Sequence, residues 1–501
     1  MAERSHRVTV AEACASISPH TILGDGSRLV ADVIHASDQV TPGAMFCCVV
    51  GDRHDGHGFA ADAIARGATS LLVERALDAS VVGDVTQVIV DNVRTAMGPV
   101  ASTCWGEPSG SLAVIGVTGT NGKTSVVTMI AAIVEQLGVR AETIGTLTGA
   151  RTTPESTDLQ RTLARFVAKG VRVVAIEVSS HALELSRVAG VRFAATAFLN
   201  LGSDHLDFHG TPERYFDAKA RLFEPGRSPV SIVVIDDVHG RLLRDSMVGR
   251  TDTVVVEITT DEAAVRVRSG RTVFSWRGRE IETDLVGGFN ATNLVVAAEC
   301  VVALGTDPED IAAVLGSVNA PPGRMERVLG DQPFSVVVDY AHTPDAIERA
   351  LDAARNLATG RLLTVIGAGG DRDRSKRVAM GRAAGERADL VIVTSDNPRS
   401  ESPSTIMATV ASGVEQAELI TIEDRRLAIE AAIERATAGD VVVILGKGHE
   451  TTQTTGDHVE PFDDRVVAAD ALAALGFHVG SAETVETIHA GHDDSSASPD
   501  A

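Results

Sequence analysis

Short runs of β-branched and aliphatic residues alternate along the chain with longer segments whose apolar positions recur every three or four residues. That alternation predicts parallel α/β layers. Up to about residue 105 the strand candidates are short, at 70–73 and 87–90, with Ala-rich helical stretches between them. Gly106-Glu107-Pro108-Ser109-Gly110 is a breaker cluster and reads as a linker. Beyond it come a strand at 112–117 and further apolar runs at 173–176, 195–199 and 232–235. From about 252 to 286 the alternation is interrupted by Ser269-Gly270 and Arg277-Gly278, which predicts an antiparallel meander attached to the parallel sheet. Pro321-Pro322-Gly323 precedes a third α/β block with strands at 335–339, 362–366, 390–393 and 441–445. No fixed-period repeat is visible. The expected organisation is three α/β domains, 1–106, 107–330 and 331–480, and a disordered acidic tail, 481–501, with five acidic residues and no Lys or Arg.

Composition agrees with this division, since 501 residues at about 150 per domain make roughly three. A hydrophobic fraction of 44% with 23% charged residues excludes a disordered chain. With only 13 Phe, 2 Trp and 2 Tyr, aliphatic side chains and Ala must fill the cores. The 45 basic and 68 acidic residues leave a net charge of −23, which excludes a general affinity for nucleic acid or an anionic membrane. It leaves anionic small molecules open, because local groups hold those. The five cysteines form no C-x-x-C pair and no zinc spacing, so they read as thiols in a reducing compartment. The first 20 residues lack the order of a signal peptide, and no apolar run is long enough to span a bilayer. The expectation is a cytoplasmic protein without membrane insertion.

The strongest chemical motif is TGTNGKTS, residues 118–125. A strand runs into it. A helix runs out of it with apolar residues at Val126, Met129, Ile130, Ile133 and Leu137. Backbone N–H groups of such a loop form an anion nest at a helix N-terminus, Lys123 reaches the β/γ-phosphates of ATP, and the Thr124 hydroxyl can ligate Mg²⁺. Its spacing departs from the usual phosphate loop: Val117 stands where the first Gly belongs, with Gly116 and Gly119 on either side. Glu177 ends the apolar run 173–176. Taken alone it reads equally as a helix cap or as a functional acid at the carboxyl end of a strand, and paired with a phosphate loop it reads as a Mg²⁺ ligand. Residues 200–209 pack Asp204, His205, Asp207 and His209 behind another strand. His205 and His209 have the spacing for one zinc on a helix face but no third ligand, so a polar loop with structural histidines and a Mg–phosphate site both stand. In the third block the loops 367–374, 395–399 and 446–450 each follow a strand, and the carboxyl ends of parallel strands lie on one edge. Their mixture of Arg with Asp, Asn and Glu suits a zwitterion, guanidinium for carboxylate and acid for ammonium.

TGTNGKTS, EVSSHAL, DHLDFHG with a downstream Lys219, GGFNATN, GRMERV, DYAHTPDA, GGDRDRSKR, DNPR and GKGHE follow one another in this order. As an ordered set, over about residues 30 to 475, they resemble the Mur ligase family, most nearly its UDP-N-acetylmuramoyl-tripeptide synthetase (MurE) branch. The resemblance implies a UDP-binding N-terminal domain, a central P-loop ATPase domain and a Rossmann-like C-terminal domain. It also implies ATP-dependent amide formation in peptidoglycan precursor synthesis, through an acyl phosphate and with ADP and phosphate released. By the same resemblance, Gly119, Thr120, Asn121, Gly122, Lys123, Thr124 and Ser125 hold ATP, with Asn290 and Asn293 at adenine. Arg324 and Asp339 are implied as C-terminal residues of the ATP site. Thr124 and Glu177 would hold one Mg²⁺; His205 and Lys219, the latter as an N-carboxylated lysine, would hold a second. Ser37, Thr152, Thr153, Ser179 and Arg187 resemble contacts to the UDP-muramoyl-dipeptide. Arg372, Asp396, Asn397, Pro398, Arg399, Gly446 and Glu450 resemble the amino-acid site, and Arg399 in DNPR implies meso-diaminopimelate, whose far carboxylate it would pair. The implied protein is a monomer. One departure from the family falls at Ala36-Ser37-Asp38, where Asp-Ser-Arg is common. The competing readings are an L-lysine-adding synthetase, another Mur or folylpolyglutamate-type ligase, and a non-catalytic nucleotide-binding scaffold.

Overall fold

A computed structural model describes residues 8–51, 54–202, 204–268 and 270–479; the acidic tail lies outside them. The chain divides into two compact units, Met1–Asn319 and Ala320–Ala501, and Pro321-Pro322-Gly323 begins the second.

The first unit contains two α/β sheets. Its N-terminal sheet has the order His20–Leu23, Thr86–Val90, Ser70–Val73, Ala44–Cys47, Asp32–Ile34, parallel except at the first strand. Six parallel strands form the central sheet, ordered Val254–Ile258, Val230–Val234, Ala195–Phe198, Ala113–Thr118, Val173–Glu177, Ala141–Ile144. The three middle strands are buried almost throughout, because helices cover both faces and every side chain must be apolar or satisfied. The helix Val93–Cys104 of the N-terminal part packs on Ser156–Ala168 of the central part. The two parts touch backbone to backbone there: a Cβ at Gly98 would lie 2.3 Å from the Ala189 carbonyl oxygen.

The predicted meander is shorter than expected. Antiparallel pairing holds for Arg266–Arg268, Arg271–Trp276 and Arg279–Thr283, whereas Val254–Ile258 is the edge strand of the parallel sheet. An edge strand is covered on one side only, and its half-exposed pattern imitates that of a hairpin strand.

The second unit is a six-stranded sheet ordered Glu326–Arg327, Ser335–Asp339, Val441–Leu445, Leu362–Ile366, Leu390–Val393, Glu418–Thr421, with only the first strand antiparallel. Its core joins Val336, Val338, Leu363, Val365, Ile392, Val442 and Ile444 to the helices Arg425–Arg435 and Asp464–Ala474. Among the described residues no helix is long and apolar enough to cross a membrane, and all five cysteines are free.

Candidate active site

In the first unit the site lies at the carboxyl edge of the central sheet, where the 113–118 strand turns into the helix Lys123–Gln136. Gly122 caps that helix at φ 89°, a left-handed conformation that favours glycine. A Cβ there would also meet Asn293 Oδ1 at 2.7 Å, so Asn293, on the helix Gly288–Val302, is brought against the loop. Asn290 stands one turn earlier, with its amide donating to the Val286 carbonyl at 2.9 Å and accepting from Asn293 at 3.3 Å. The loop is tied across the sheet: Asn121 N–H donates to Asn200 Oδ1 at 2.9 Å, and Thr120 Oγ1 accepts from Gly202 N–H at 2.8 Å and lies 3.0 Å from the Tyr215 hydroxyl. Lys123 Nζ donates to the Gly119 and Thr120 carbonyls at 2.8 and 2.9 Å. Ser125 is buried in the first turn of the helix.

Glu177 ends the adjacent strand and is buried. Its carboxylate accepts from the Thr124 hydroxyl at 3.0 Å and from Thr146 N–H at 2.8 Å. A Thr hydroxyl beside a carboxylate is a hard-oxygen donor pair, and Mg²⁺ takes one or two such ligands together with substrate phosphates. Thr124 and Glu177 therefore fit that ion. Among the described residues no three His, Cys, Asp or Glu side chains form a metal-binding group, and His209 turns away to Ser180 Oγ at 2.9 Å. The zinc reading of His205 and His209 has no support in that arrangement.

Lys219 comes from the helix Pro212–Ala220, which Thr211 caps and Pro212 starts. Its side chain is fully buried, 4.6 Å from the Tyr215 ring, and Nζ donates at 2.9 Å to the Gly119 carbonyl that Lys123 also uses. Burial, with the Lys123 ammonium adding to it, holds the Lys219 pKa well below its usual value. His205 is half exposed, with its ring 4.8 Å from that of His181 and 6.2 Å from Tyr215.

Behind Glu177, Thr153 Oγ1 donates to the Glu177 carbonyl at 2.7 Å and accepts from Ser179 N–H at 3.2 Å, while Thr152 and Thr146 hydroxyls lie 3.2 Å apart. Arg187 donates to the Thr153 carbonyl at 3.3 Å and pairs with buried Glu155 at 2.9 Å. Arg94 and Arg151 pair with the same Glu155 carboxylate at 3.4 and 3.0 Å. Arg94, Arg151 and Glu155 line a cavity of about 610 Å³ together with His35, Ser37 and His54, among others, and Arg187 reaches it only through Glu155. Three guanidiniums on one carboxylate leave two positive charges, which suits an anionic ligand. The Glu155 cluster escaped sequence reading because Arg94 lies 61 residues away in the chain.

In the second unit two clusters form. Asp339 accepts from Met325 and Ala341 N–H groups at 2.7 and 2.8 Å, and the Arg324 guanidinium stacks 4.5 Å from the Tyr340 ring centroid. The three glycine-marked loops meet as predicted. Arg399, left-handed at φ 50°, donates to the Gly370 carbonyl at 2.7 Å, and Asn397 donates to Glu450 at 2.7 Å. A Cβ at Gly446 would lie 2.4 Å from Asp396 Oδ2, and one at Gly370 would lie 1.8 Å from the Pro398 carbonyl oxygen. Arg372 is a neighbour of the set, its side chain 3.7 Å from the Cβ position of Gly369. Two buried cations stitch the loops from behind. Arg377 joins Glu401 at 2.8 Å to the Gly369 carbonyl at 3.1 Å; Arg425 pairs with Asp464 at 2.7 Å and donates to the Ser395 and Leu445 carbonyls.

Comparison with known proteins matches residues 31–103 to the family model "Mur ligase family, catalytic domain", 117–301 to "Mur ligase middle domain" and 323–448 to "Mur ligase, glutamate ligase domain". The chain belongs to the Mur ligase family. This Mur ligase is 42% identical over 464 residues, 88% of its own chain and 94% of the relative, to the UDP-N-acetylmuramoyl-L-alanyl-D-glutamate--2,6-diaminopimelate ligase of Geobacillus kaustophilus. The Streptomyces coelicolor protein of the same name is 39% identical over 472 residues, covering 89% of this Mur ligase and 93% of the relative. A solved structure of a diaminopimelate ligase of that name superposes with a TM-score of 0.71 at 31% identity, over 94% of this chain and 100% of that one.

Proposed function

We propose that this Mur ligase joins meso-diaminopimelate to UDP-N-acetylmuramoyl-L-alanyl-D-glutamate at the expense of ATP. The observation that carries the reading is the pairing of a lysine-bearing phosphate loop with a buried Thr124–Glu177 pair at one sheet edge. A carboxylate is a poor electrophile, so its oxygen first attacks the γ-phosphorus of ATP and ADP leaves; the diaminopimelate amine then attacks the acyl carbon, and phosphate leaves as the amine gives up a proton. The loop N–H groups and Lys123 hold the phosphates and offset their charge. Thr124 and Glu177 would hold Mg²⁺, which neutralises charge on the reacting phosphates. Burial shifts the Lys219 amine toward its neutral form, which suits addition of CO₂ to give a carbamate, and His205, whose ring lies 6.2 Å from that of Tyr215, would join it in holding a second Mg²⁺. Thr152, Thr153, Ser179 and Arg187 take the dipeptide end, and the cavity at Ser37 takes the uridine diphosphate. Arg324 and Asp339 are the residues of the second unit that this reading assigns to ATP. Arg372, Asp396, Asn397, Pro398, Arg399, Gly446 and Glu450 read the amino acid. On this reading residues 1–106, 107–330 and 331–480 are the sugar-nucleotide, ATPase and amino-acid domains of a monomeric cytoplasmic enzyme. The test is an incubation with ATP, UDP-muramoyl-L-Ala-D-Glu and either diaminopimelate or L-lysine, read by mass spectrometry. Diaminopimelate product is expected; a preference for lysine, or no product with either, would sink the reading.

A further inference from the structure

One buried group of the second unit is left without a role by the proposed chemistry. Lys447, in the turn after the 441–445 strand, has no exposed side-chain surface. A buried ammonium is costly unless each N–H finds an acceptor. Here three acceptors surround it: the Thr452 carbonyl at 2.6 Å, Asn397 Oδ1 at 3.2 Å and Glu450 Oε2 at 3.5 Å. Two of them belong to residues that the proposed function places at the amino acid.

The consequence for Asn397 follows from donor and acceptor counting. Its Oδ1 also accepts from Thr454 N–H at 3.0 Å, so two donors occupy both lone pairs of that oxygen. A backbone N–H and an ammonium can only donate, which assigns the oxygen to their side and the NH₂ to the other. One amide N–H goes to Glu450 Oε2 at 2.7 Å, and the second takes no partner among the described residues. Asn397 thus presents a fixed donor, fit for a carboxylate. Glu450, anchored through one oxygen by Asn397 and Lys447, keeps its other oxygen for an ammonium.

We infer that Lys447 is a positioning residue that sets the polarity of the Asn397–Glu450 pair, so that the site reads the adjacent carboxylate and ammonium of one α-amino-acid end. The inference rests on the proposed diaminopimelate-adding reaction. Without the ammonium, Asn397 Oδ1 keeps a single donor, the Thr452 carbonyl loses its partner, and Glu450 loses its nearest cation. The 395–399 and 446–450 loops then lose the cation next to Asn397 and Glu450 while Arg425 still joins them from behind, and the phosphate loop belongs to the other unit and keeps its contacts.

The experiment is steady-state kinetics of the full chain with ATP, UDP-muramoyl-L-Ala-D-Glu and meso-diaminopimelate, for the wild type, Lys447→Met, Asn397→Ala and the double variant. Lys447→Met is expected to raise KM for diaminopimelate at least tenfold and to leave KM for ATP within twofold. In the double variant KM for diaminopimelate should match that of Asn397→Ala alone within twofold, because Lys447 acts through Asn397. Should Lys447→Met fail to fold, Lys447→Gln, which keeps a donor for Asn397 Oδ1 but loses the charge facing Glu450, is expected to raise KM for diaminopimelate by more than twofold but less than tenfold, with KM for ATP again within twofold. An unchanged KM for diaminopimelate, an equal rise in KM for ATP, or effects that multiply in the double variant would overturn the inference and leave the proposed reaction standing. A wild type that makes no diaminopimelate product would overturn both, and is seen before any variant is made.

Discussion

At the scale of single residues the Glu177 carboxylate is tightly confined, held by Thr124 and Thr146 and pressed against Gly145. A Cβ on Gly145 would lie 2.2 Å from its Oε1 and 2.8 Å from its Cδ, so Gly145→Ala must displace it from Thr124. The expected result is a loss of activity of about 100-fold or more, comparable to removing a preorganised polar contact, with the Mg²⁺ needed for half-maximal rate raised. Titrating Mg²⁺ against initial rate checks it; an unchanged requirement would argue against Glu177 as a ligand. Arg399→Ala should raise KM for diaminopimelate by the loss of a charge-assisted contact, about 2–5 kcal/mol, and an unchanged KM would remove Arg399 from recognition. His449 carries a pH signature. Burial, with Arg324 and Arg465 adding to it, lowers its pKa to about 4. An unfolded histidine titrates near 6.5, so between about 6.5 and 4 the unfolded chain binds more protons and stability falls as pH falls. His449→Gln should flatten the dependence of the unfolding midpoint on pH in that window, as calorimetry at stepped pH would read. The phosphate-loop and DNPR residues were legible because they are contiguous in the chain. Lys447 stood in a recognised motif, yet its three acceptors come from positions 397, 450 and 452, which sequence alone does not bring together.

Among the elements, the four central strands of the second unit fall where the apolar runs placed them, at 335–339, 390–393, 362–366 and 441–445. Strands buried on both faces are near-continuous aliphatic runs closed by Gly or polar loops, the strongest pattern a sequence offers. Edge strands were not visible. Ala141–Ile144 and Glu418–Thr421 mix charge with apolar residues because one side of each is open. Pairing of Val254–Ile258 with the parallel sheet was likewise beyond reach, since periodicity reports exposure and not direction. The Arg425–Asp464 pair holds the carboxyl ends of two strands to two helices, with both side chains fully buried. Asp464→Ala would leave a buried guanidinium uncompensated, at a cost of about 3–5 kcal/mol. Denaturant unfolding measures it, and a change under about 1 kcal/mol would show that water reaches the pair.

For the whole molecule, the two units carry separate cores, and chains of that kind depart from two-state unfolding. Ile444→Ala, at a position with no exposed surface, should remove about 2–5 kcal/mol from the second unit and lower one calorimetric transition alone. A single transition that moves as one would contradict that. The net charge of −23 excluded polyanions as general partners but said nothing of local fields, and three arginines paired with the single carboxylate of Glu155 show how a strongly acidic chain gathers positive charge locally.

The division at Asn319/Ala320 has a consequence for inheritance. The phosphate-loop motif TGTNGKTS is encoded upstream of it, and DNPR and GKGHE downstream, together with Arg324 and Asp339, which the proposed function assigns to ATP. On the proposed reading, a lineage that keeps Arg324 and Asp339 can alter which building block enters its wall by drift or recombination within one contiguous stretch of gene, leaving the phosphate loop untouched.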